Sequence, residues 1–183
     1  MSHAVHTTNA IVLSSTDVQD ADKLFWLLTE DFGLIFASAK SIREETSKLR
    51  YVLQDLSNVQ VSVVKGRGIW RVTGAQSTGV SKLKGEKIKI FGRVAAITKR
   101  LMPTDEVNKE IFSTLLNSRE KIDKAENLTV ARVLFHLGYL TCTDEYSGII
   151  DTLEFSEEEI SSAEKMKDKL VADINNGLVE SQL

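Results

Sequence analysis

The stretch VQVSVVKGRGIWRVT, residues 59–73, decides the fold of the first half of the chain. Valine alternates with polar residues before the turn KGRG at 65–68, and Trp70 and Val72 alternate with polar residues after it. A period of two indicates strands with one buried face, and two such runs around a glycine-rich turn predict a β-hairpin. Because Trp70 shares a face with Val72, we expect it to fill the core, with Arg71 on the opposite, solvent-facing side.

Three earlier runs, at residues 9–14, 23–29 and 33–39, have the same strand-like pattern. A short helical piece is predicted near residues 47–53. Five strands within residues 9–73 suit a closed five-stranded OB barrel better than a sandwich, because closure removes exposed edges.

Beyond residue 82 the apolar period becomes helical. The run 128–140 is apolar nearly all round, which predicts a helix buried at the centre of the second half. Ser156 followed by Glu159 predicts a capping box, and Asn175, Asn176 and Gly177 predict a helix end. The other predicted apolar helix faces are Ile90, Val94, Ile97 and Leu101; then Val107, Ile111 and Leu115; and last Ile160, Ala163, Met166, Leu170 and Ile174. We therefore predict an α+β protein with an OB domain at 1–80 and a helical domain at 81–183.

The net charge of −3 conceals an uneven distribution. Residues 40–100 carry fourteen basic and four acidic side chains, whereas residues 101–183 carry eight basic and seventeen acidic ones. Binding responds to the local potential within about 8 Å at physiological salt, so the basic middle segment is where a polyanion would bind.

Signatures of catalysis and of membrane insertion are absent from the sequence. It contains no GxxxxGK[ST], GxGxxG, HExxH or GxSxG motif, so we expect no enzyme, no catalytic residue and no cofactor. A single cysteine, Cys142, and the scattered His3, His6 and His136 predict no disulfide and no zinc site, and His136 is expected to be structural. No apolar run is long enough to span a bilayer and no signal peptide is apparent, which predicts a cytoplasmic protein.

Two features of the basic segment leave alternatives open. Trp70 between Arg67 and Arg71 resembles a base-stacking platform, against the core position favoured above. The turn at 65–68 is either a plain hairpin or an extension of a basic strip. Likewise, the bases between residues 40 and 50 either contact phosphate or form a solvated loop, and Glu44 and Glu45 interrupt them.

Four segments of the chain resemble the bacterial recombination mediator family RecO. They are TNAIVLSS at 8–15, DADKLFWLLTEDFGLIFASAKSIREETSKLRYVLQDLS at 20–57, KGRGIWRVTGA at 65–75 and, more weakly, ARVLFHLGYL at 131–140. The resemblance covers roughly residues 7–78 of the barrel. Asp55 stands where the family commonly has proline. Only Cys142 stands where many relatives carry a four-cysteine zinc module, so this chain resembles a short form without zinc.

The resemblance implies a non-enzymatic protein that binds single- and double-stranded DNA in recombinational repair. Such proteins work with RecR, and often RecF, to load recombinase on strands coated by single-stranded-DNA-binding protein, and they anneal complementary strands. The DNA-binding residues it implies are Lys40, Arg43, Lys48, Arg50, Arg67 and Arg71. An acidic tail of the single-stranded-DNA-binding protein would need a basic pocket formed by Lys84, Lys87, Lys89, Arg93, Lys99 and Arg100. An OB-fold adaptor for an acidic protein, and an RNA-binding module, are the competing hypotheses.

Overall fold

The computed structural model describes residues 4–18, 21–80 and 82–181, and it consists of two compact units. The first unit comprises residues 1–83 and 102–109, and the second comprises 84–101 and 110–183. The chain thus leaves the first unit after residue 83, returns to it for a short segment and leaves it again.

The first unit is a closed barrel with the strand order β1-β2-β3-β5-β4, in which β4 pairs back to β1. Only β3 and β5 are parallel; the other neighbours are antiparallel. The predicted five-stranded OB barrel is confirmed. Its elements are β1 (Val5–Val18), β2 (Asp22–Thr29), β3 (Gly33–Ala39), the one-turn helix α1 (Leu49–Val52), β4 (Asn58–Lys65) and β5 (Trp70–Ser77).

Alternate residues of all five strands point into the barrel, as the period of two requires. Trp70 is only 6% exposed and belongs to this core, so its predicted core position is confirmed. Arg71, next to it, is exposed. The remaining core side chains are those of Ala10, Val12, Phe25, Leu27, Ile35, Ala37, Ala39, Ile42, Leu53, Val59, Val61, Val63 and Val72.

The returning segment 102–109 pairs with β3 where β5 does not. β5 is paired in register with β3 at Ala37 and Ser38, whereas Thr104 forms a parallel bridge to Leu34. Gly33 lies so close to this segment that a Cβ atom there would be 1.8 Å from the carbonyl oxygen of Glu106. Its φ of +66° also favours glycine, so a larger residue at position 33 would displace the segment.

The predicted helix face through Val107 is wrong for that residue. Val107 lies in the returning segment, 53% exposed, and the next helix begins only at Lys109. The positive φ of Asp105, 60°, and the bridge formed by Thr104 both exclude helical backbone there.

The second unit is helical, as predicted. Its helices are α2 (Glu86–Leu101), α3 (Lys109–Ser118), α4 (Ile122–His136), α5 (Glu157–Lys165) and α6 (Lys167–Glu180), with a 3-10 turn at Arg119–Lys121. α4 contacts α2, α5 and α6 and buries Leu128, Val130, Val133 and Leu134, so the predicted central helix is confirmed. On α2 the buried face is rotated from the prediction, since Phe91 and Thr98 are buried while Ile97 is only half-buried.

Helix ends differ from the predictions at three places. α4 stops at His136 instead of continuing to Leu140, and the predicted continuous stripe through Met166 is broken there into α5 and α6. Gly177 does not end a helix: α6 runs through it, and a Cβ atom there would lie 2.6 Å from the carbonyl oxygen of Tyr139. Gly177 is therefore required for close packing. The capping box of Ser156 and Glu159 is present as predicted.

Candidate nucleic-acid interface

All six basic residues predicted to bind DNA lie in the barrel unit. Lys40 follows the last residue of β3, Arg43 and Lys48 lie in the loop after it, and Arg50 lies in α1. Arg67 occupies the tip of the β4–β5 hairpin, and Arg71 is the second residue of β5. They therefore come from the β3–β4 connection and from one hairpin.

Four of the six form what we call the basic surface: Lys40, Lys48, Arg67 and Arg71. Each is exposed, and within the described residues none of the four has a carboxylate within 4 Å. A cation with no carboxylate neighbour attracts an anionic ligand more strongly than a paired one, because no internal ion pair has to be broken first.

Strand pairing brings part of the basic surface together. The parallel register sets Ser38 beside Arg71, and Lys40 follows two residues after Ser38 on the same side of the chain. The helix α1, which Lys48 precedes, lies against β5. The β3–β4 connection and β5 are thus neighbours, and Arg67 lies at the tip of the β4–β5 hairpin.

Arg43 differs from the basic surface because it is already paired. Its Nη1 donates to the carboxylate of Asp17 at 3.0 Å, and Lys23 reaches the same carboxylate at 3.2 Å. Lys23 first, and Arg43 with it, hold the pKa of Asp17 below its ordinary value. Arg43 thus links the β3–β4 connection to the end of β1.

Arg50 is held against its neighbour Tyr51. Its Nη2 donates to the Tyr51 hydroxyl at 2.7 Å, and its guanidinium carbon lies 4.6 Å from the centre of the Tyr51 ring. Tyr51 is 61% exposed. Tyr51 was not among the predicted binding residues, although the helical spacing of Leu49, Val52 and Leu53 indicates that Tyr51 lies away from the core.

Trp70 is not a base-stacking platform, and this alternative from the sequence is wrong. Its indole Nε1 donates to the Asp105 carboxylate at 3.0 Å, and its ring centre lies 5.1 Å from that of Phe32. Lys65 approaches the ring at 5.2 Å and the same carboxylate at 3.6 Å. These contacts and the burial of Trp70 leave no ring face for a base.

A second aromatic pair lies on the outer side of β2 and β3. Trp26 and Phe36 occupy directly paired positions, with ring centres 4.7 Å apart, and both are half-buried. They alternate with the core residues Phe25, Leu27 and Ile35, so the pleat turns them outward. This pair was not predicted from the sequence.

In the helical unit, at least three of the bases expected to bind an acidic tail are paired with acids. Arg93 makes a two-pronged hydrogen bond to Glu126, at 2.7 and 2.8 Å, and Lys87 lies 3.3 Å from Asp123. Lys89 lies 3.8 Å from Glu86. An anionic tail would compete with these carboxylates for the same side chains.

Arg132, which was not predicted as a functional residue, organises the segment that follows α4. Although fully buried, it donates to the carbonyl oxygens of Ile149 and Glu154, to Thr152 Oγ1 at 2.7 Å and to Glu159 Oε1 at 3.1 Å. Its guanidinium carbon also lies 4.3 Å from the Phe155 ring centre. The segment thus gathers around one cation, in the part of the chain where the resemblance led us to look for a zinc module.

The remaining candidate groups have structural surroundings. Burial lowers the pKa of His136, at the end of α4, and raises the pKa of the half-buried Cys142. The His6 ring packs 5.2 Å from Phe32, and His3 lies outside the described residues. Within residues 4–18, 21–80 and 82–181 there is no group of three or more metal-ligating side chains, and no helix there is long and apolar enough to cross a membrane.

Comparison with known proteins points to one family. Residues 1–80 match the family described as recombination protein O N terminal. A DNA repair protein RecO from Dehalococcoides mccartyi is 30% identical over 138 residues, which are 73% of this chain and 54% of that protein. Proteins of the same name from Heliobacterium modesticaldum and Thermodesulfovibrio yellowstonii are each 30% identical over 74% of this chain, covering 52% and 58% of their own lengths. The chain thus spans little more than half the length of these relatives.

Proposed function

Because the chain belongs to the RecO family of DNA repair proteins, we propose that it is a non-enzymatic mediator of recombinational repair that binds single- and double-stranded DNA. In this role it holds strands so that recombinase is loaded on them and complementary strands anneal. No bond is made or broken by the protein itself, which agrees with the absence of catalytic motifs from the sequence.

The observation that carries the proposal is the basic surface on a closed OB barrel. Lys40, Lys48, Arg67 and Arg71 are exposed, and none has a carboxylate neighbour among the described residues. OB barrels bind strands of nucleic acid on one side, with a cationic groove that follows the phosphates. Contacts to phosphate are independent of sequence, as a mediator that acts on any damaged strand requires.

The partners in this proposal are a RecR-like protein and the single-stranded-DNA-binding protein, both acting in the cytoplasm. Lys84 and Arg100 are exposed ends of the basic α2 region without a carboxylate within 4 Å in the described chain, and they support an acidic-tail contact better than the paired Lys87 and Arg93 do. Co-elution of the purified chain with each purified partner tests these associations one at a time.

The test of DNA binding is a salt titration followed by fluorescence anisotropy, with a labelled single strand of mixed sequence and its duplex. Each phosphate contact on a single strand contributes about 0.7 to the slope of log affinity against log salt, so four contacts give a slope near −3. We expect binding to both forms, little dependence on sequence and that slope.

Competition separates the alternatives. Unlabelled DNA should displace the labelled strand, whereas an acidic peptide at equal charge should not. A slope near zero, or no binding at low salt, contradicts the DNA proposal and leaves an adaptor for an acidic protein. Much tighter binding to RNA of the same sequence would instead indicate an RNA-binding module.

A further inference from the structure

Tyr51 is a large aromatic side chain that the fold turns away from its core. It lies in the one-turn helix α1 and is 61% exposed. Leu49, Val52 and Leu53, spaced as one helix face, pack against the barrel core, so the intervening residues must point outward. The exposure of Tyr51 thus follows from how α1 is anchored.

One side of the Tyr51 ring is occupied by a cation. The Arg50 guanidinium carbon lies 4.6 Å from the ring centre, and its Nη2 donates to the phenol oxygen at 2.7 Å. These two contacts restrict the ring without burying it. An aromatic ring held in one orientation loses less conformational freedom on binding than a freely rotating one.

Two cations adjoin the ring in the chain, Arg50 and Lys48, and they suit a ligand that combines a phosphate with a flat face. Lys48 lies three residues before Tyr51, and it belongs to the basic surface defined above. Glu44, Glu45 and Asp55 are the exposed acids of the same connection. A nucleotide in a single strand offers both required parts: a base to stack on the ring and a phosphate to meet Arg50 and Lys48.

We propose that Tyr51 is a stacking site for an unpaired nucleobase, with Arg50 as the cation that orients the ring and meets the neighbouring phosphate. This inference rests on the proposed binding of DNA by the basic surface. It adds selectivity to that surface, because the bases of a duplex are already stacked on each other and offer no free face to Tyr51, whereas every unpaired base does.

The experiment compares Tyr51→Ala, Tyr51→Phe and the parent chain on a labelled single strand and on its duplex, each across a salt series. Tyr51→Ala should weaken single-strand binding by about 5- to 150-fold, the range of one lost base–aromatic stack. The salt slope should not change, because no phosphate contact is removed. Duplex affinity should also stay at the parent value. Tyr51→Phe keeps the ring and should retain single-strand affinity.

Two further variants complete the design. Tyr51→Trp places an indole at the stacking position, and addition of a single strand should quench its emission beyond the change seen in the parent, which contains only Trp26 and Trp70. Val107→Ala, at another exposed apolar residue of the same unit, is the matched control and should bind like the parent. Because Tyr51 and Val107 are both exposed, their variants should melt at the parent temperature.

The outcomes distinguish this inference from the function it rests on. If the parent binds DNA and Tyr51→Ala binds single strands equally well, the stacking site is excluded while the proposed function stands. An equal loss on single strand and duplex, with a shallower salt slope, would show that Tyr51 only positions Arg50 at a phosphate, and would also overturn the inference. If the parent binds no nucleic acid at low salt, the proposed function fails and the stacking site fails with it.

Discussion

The indole nitrogen of Trp70 donates a hydrogen bond to the carboxylate of Asp105 at 3.0 Å, although the whole of α2 lies between these residues in sequence. The Asp105 carboxylate also lies 3.6 Å from the ammonium nitrogen of Lys65. Its backbone nitrogen donates to the carbonyl oxygen of Leu34 at 2.9 Å. Asp105 therefore accepts a hydrogen bond from the Trp70 indole at the edge of the barrel core, and its backbone donates one to β3 where β5 does not pair with that strand.

Substitutions of Asp105 should separate its side-chain bond from its backbone conformation. Asp105→Asn keeps an acceptor for Trp70 and tolerates the φ of 60°, so the free energy of unfolding should change little. Asp105→Gly relieves the backbone but removes the acceptor, at a cost of about 1–2 kcal/mol. Asp105→Ala removes the acceptor and also places a Cβ-bearing residue without a polar side chain at positive φ, so it should cost about 2–4 kcal/mol. Urea denaturation followed by tryptophan fluorescence measures all three, and equal losses for Gly and Ala would show that the backbone conformation contributes nothing.

Neutralising the basic surface should weaken DNA binding without affecting folding. Lys40→Gln, Lys48→Gln and Arg71→Gln together should make the single-strand salt slope shallower by about 2, since each removed contact accounts for about 0.7. The melting temperature should stay at the parent value, because exposed charges contribute little to stability.

Two comparisons control for the charge change in that variant. Arg43→Gln should affect the slope less than a basic-surface substitution, because Asp17 already pairs with Arg43. Lys124→Gln combined with Lys165→Gln removes exposed charge from the helical unit and should leave the slope unchanged. A full loss of binding in this second control would move the DNA surface to the helices.

Removing the buried cation Arg132 should lower the unfolding free energy of the second unit more than any substitution of an exposed residue does. Arg132→Met leaves Glu159 without its partner and two backbone carbonyls without a donor, which should cost about 3–5 kcal/mol of unfolding free energy. Arg132→Lys should also destabilise, because an ammonium cannot span the guanidinium's several acceptors. Glu159→Gln is the milder matched change, since glutamine also completes a capping box.

A chelator is the informative control for the Arg132 variants. If Arg132 takes the structural place of a metal, an excess of EDTA should leave the denaturation midpoint of the parent unchanged. A chelator-induced drop together with stoichiometric zinc would show that the segment from Thr143 to Phe155 is held in another way.

Stability should fall in acid partly through Glu159. Burial favours a higher pKa for this carboxyl, but hydrogen bonds from Thr152 and Ser156 and the charge of Arg132 outweigh it and hold the pKa below the ordinary 4.5. A lowered folded pKa means that the stabilisation is fully present above the unfolded-state pKa and is lost as the pH falls through the folded one. The difference in unfolding free energy between the parent and Glu159→Gln should therefore be constant near neutral pH and shrink below about pH 4.5. A difference that stays constant down to pH 3 would contradict this assignment.

The barrel could be predicted from the sequence because its signals are local. The alternation around Val61 and Trp70 depends only on the strand period. In the closed sheet each of the five strands has a paired neighbour on both sides. The capping box of Ser156 and Glu159 is a four-residue signal and was likewise predictable. The DNA-binding roles of the six basic residues stay predictions.

The wrong or absent predictions have a common physical cause, which is contact between residues that are distant in the sequence. Val107 follows a helical spacing from Ile111, but the bridge of Thr104 to Leu34 prevails over that spacing. Gly177 follows two asparagines, a sequence that is typical of a helix end. Its actual role is to let the helix approach the backbone of Tyr139, thirty-eight positions earlier in the sequence. Arg132 interrupts an apolar helix and is buried because its partners come from a segment that no helical periodicity describes.

The return of residues 102–109 to the barrel affects how the protein folds during synthesis. The ribosome completes β5 at residue 77 but must make all of α2 before Asp105 and Thr104 emerge. At about 5–20 residues per second this is a delay of roughly 1–6 seconds. Through that interval the nascent barrel has an open edge at Leu34 and an unmatched indole N–H, and it is then that a chaperone or a neighbouring nascent chain has access to it. The amino-terminal domain of this protein therefore cannot finish folding before translation of the next domain has begun.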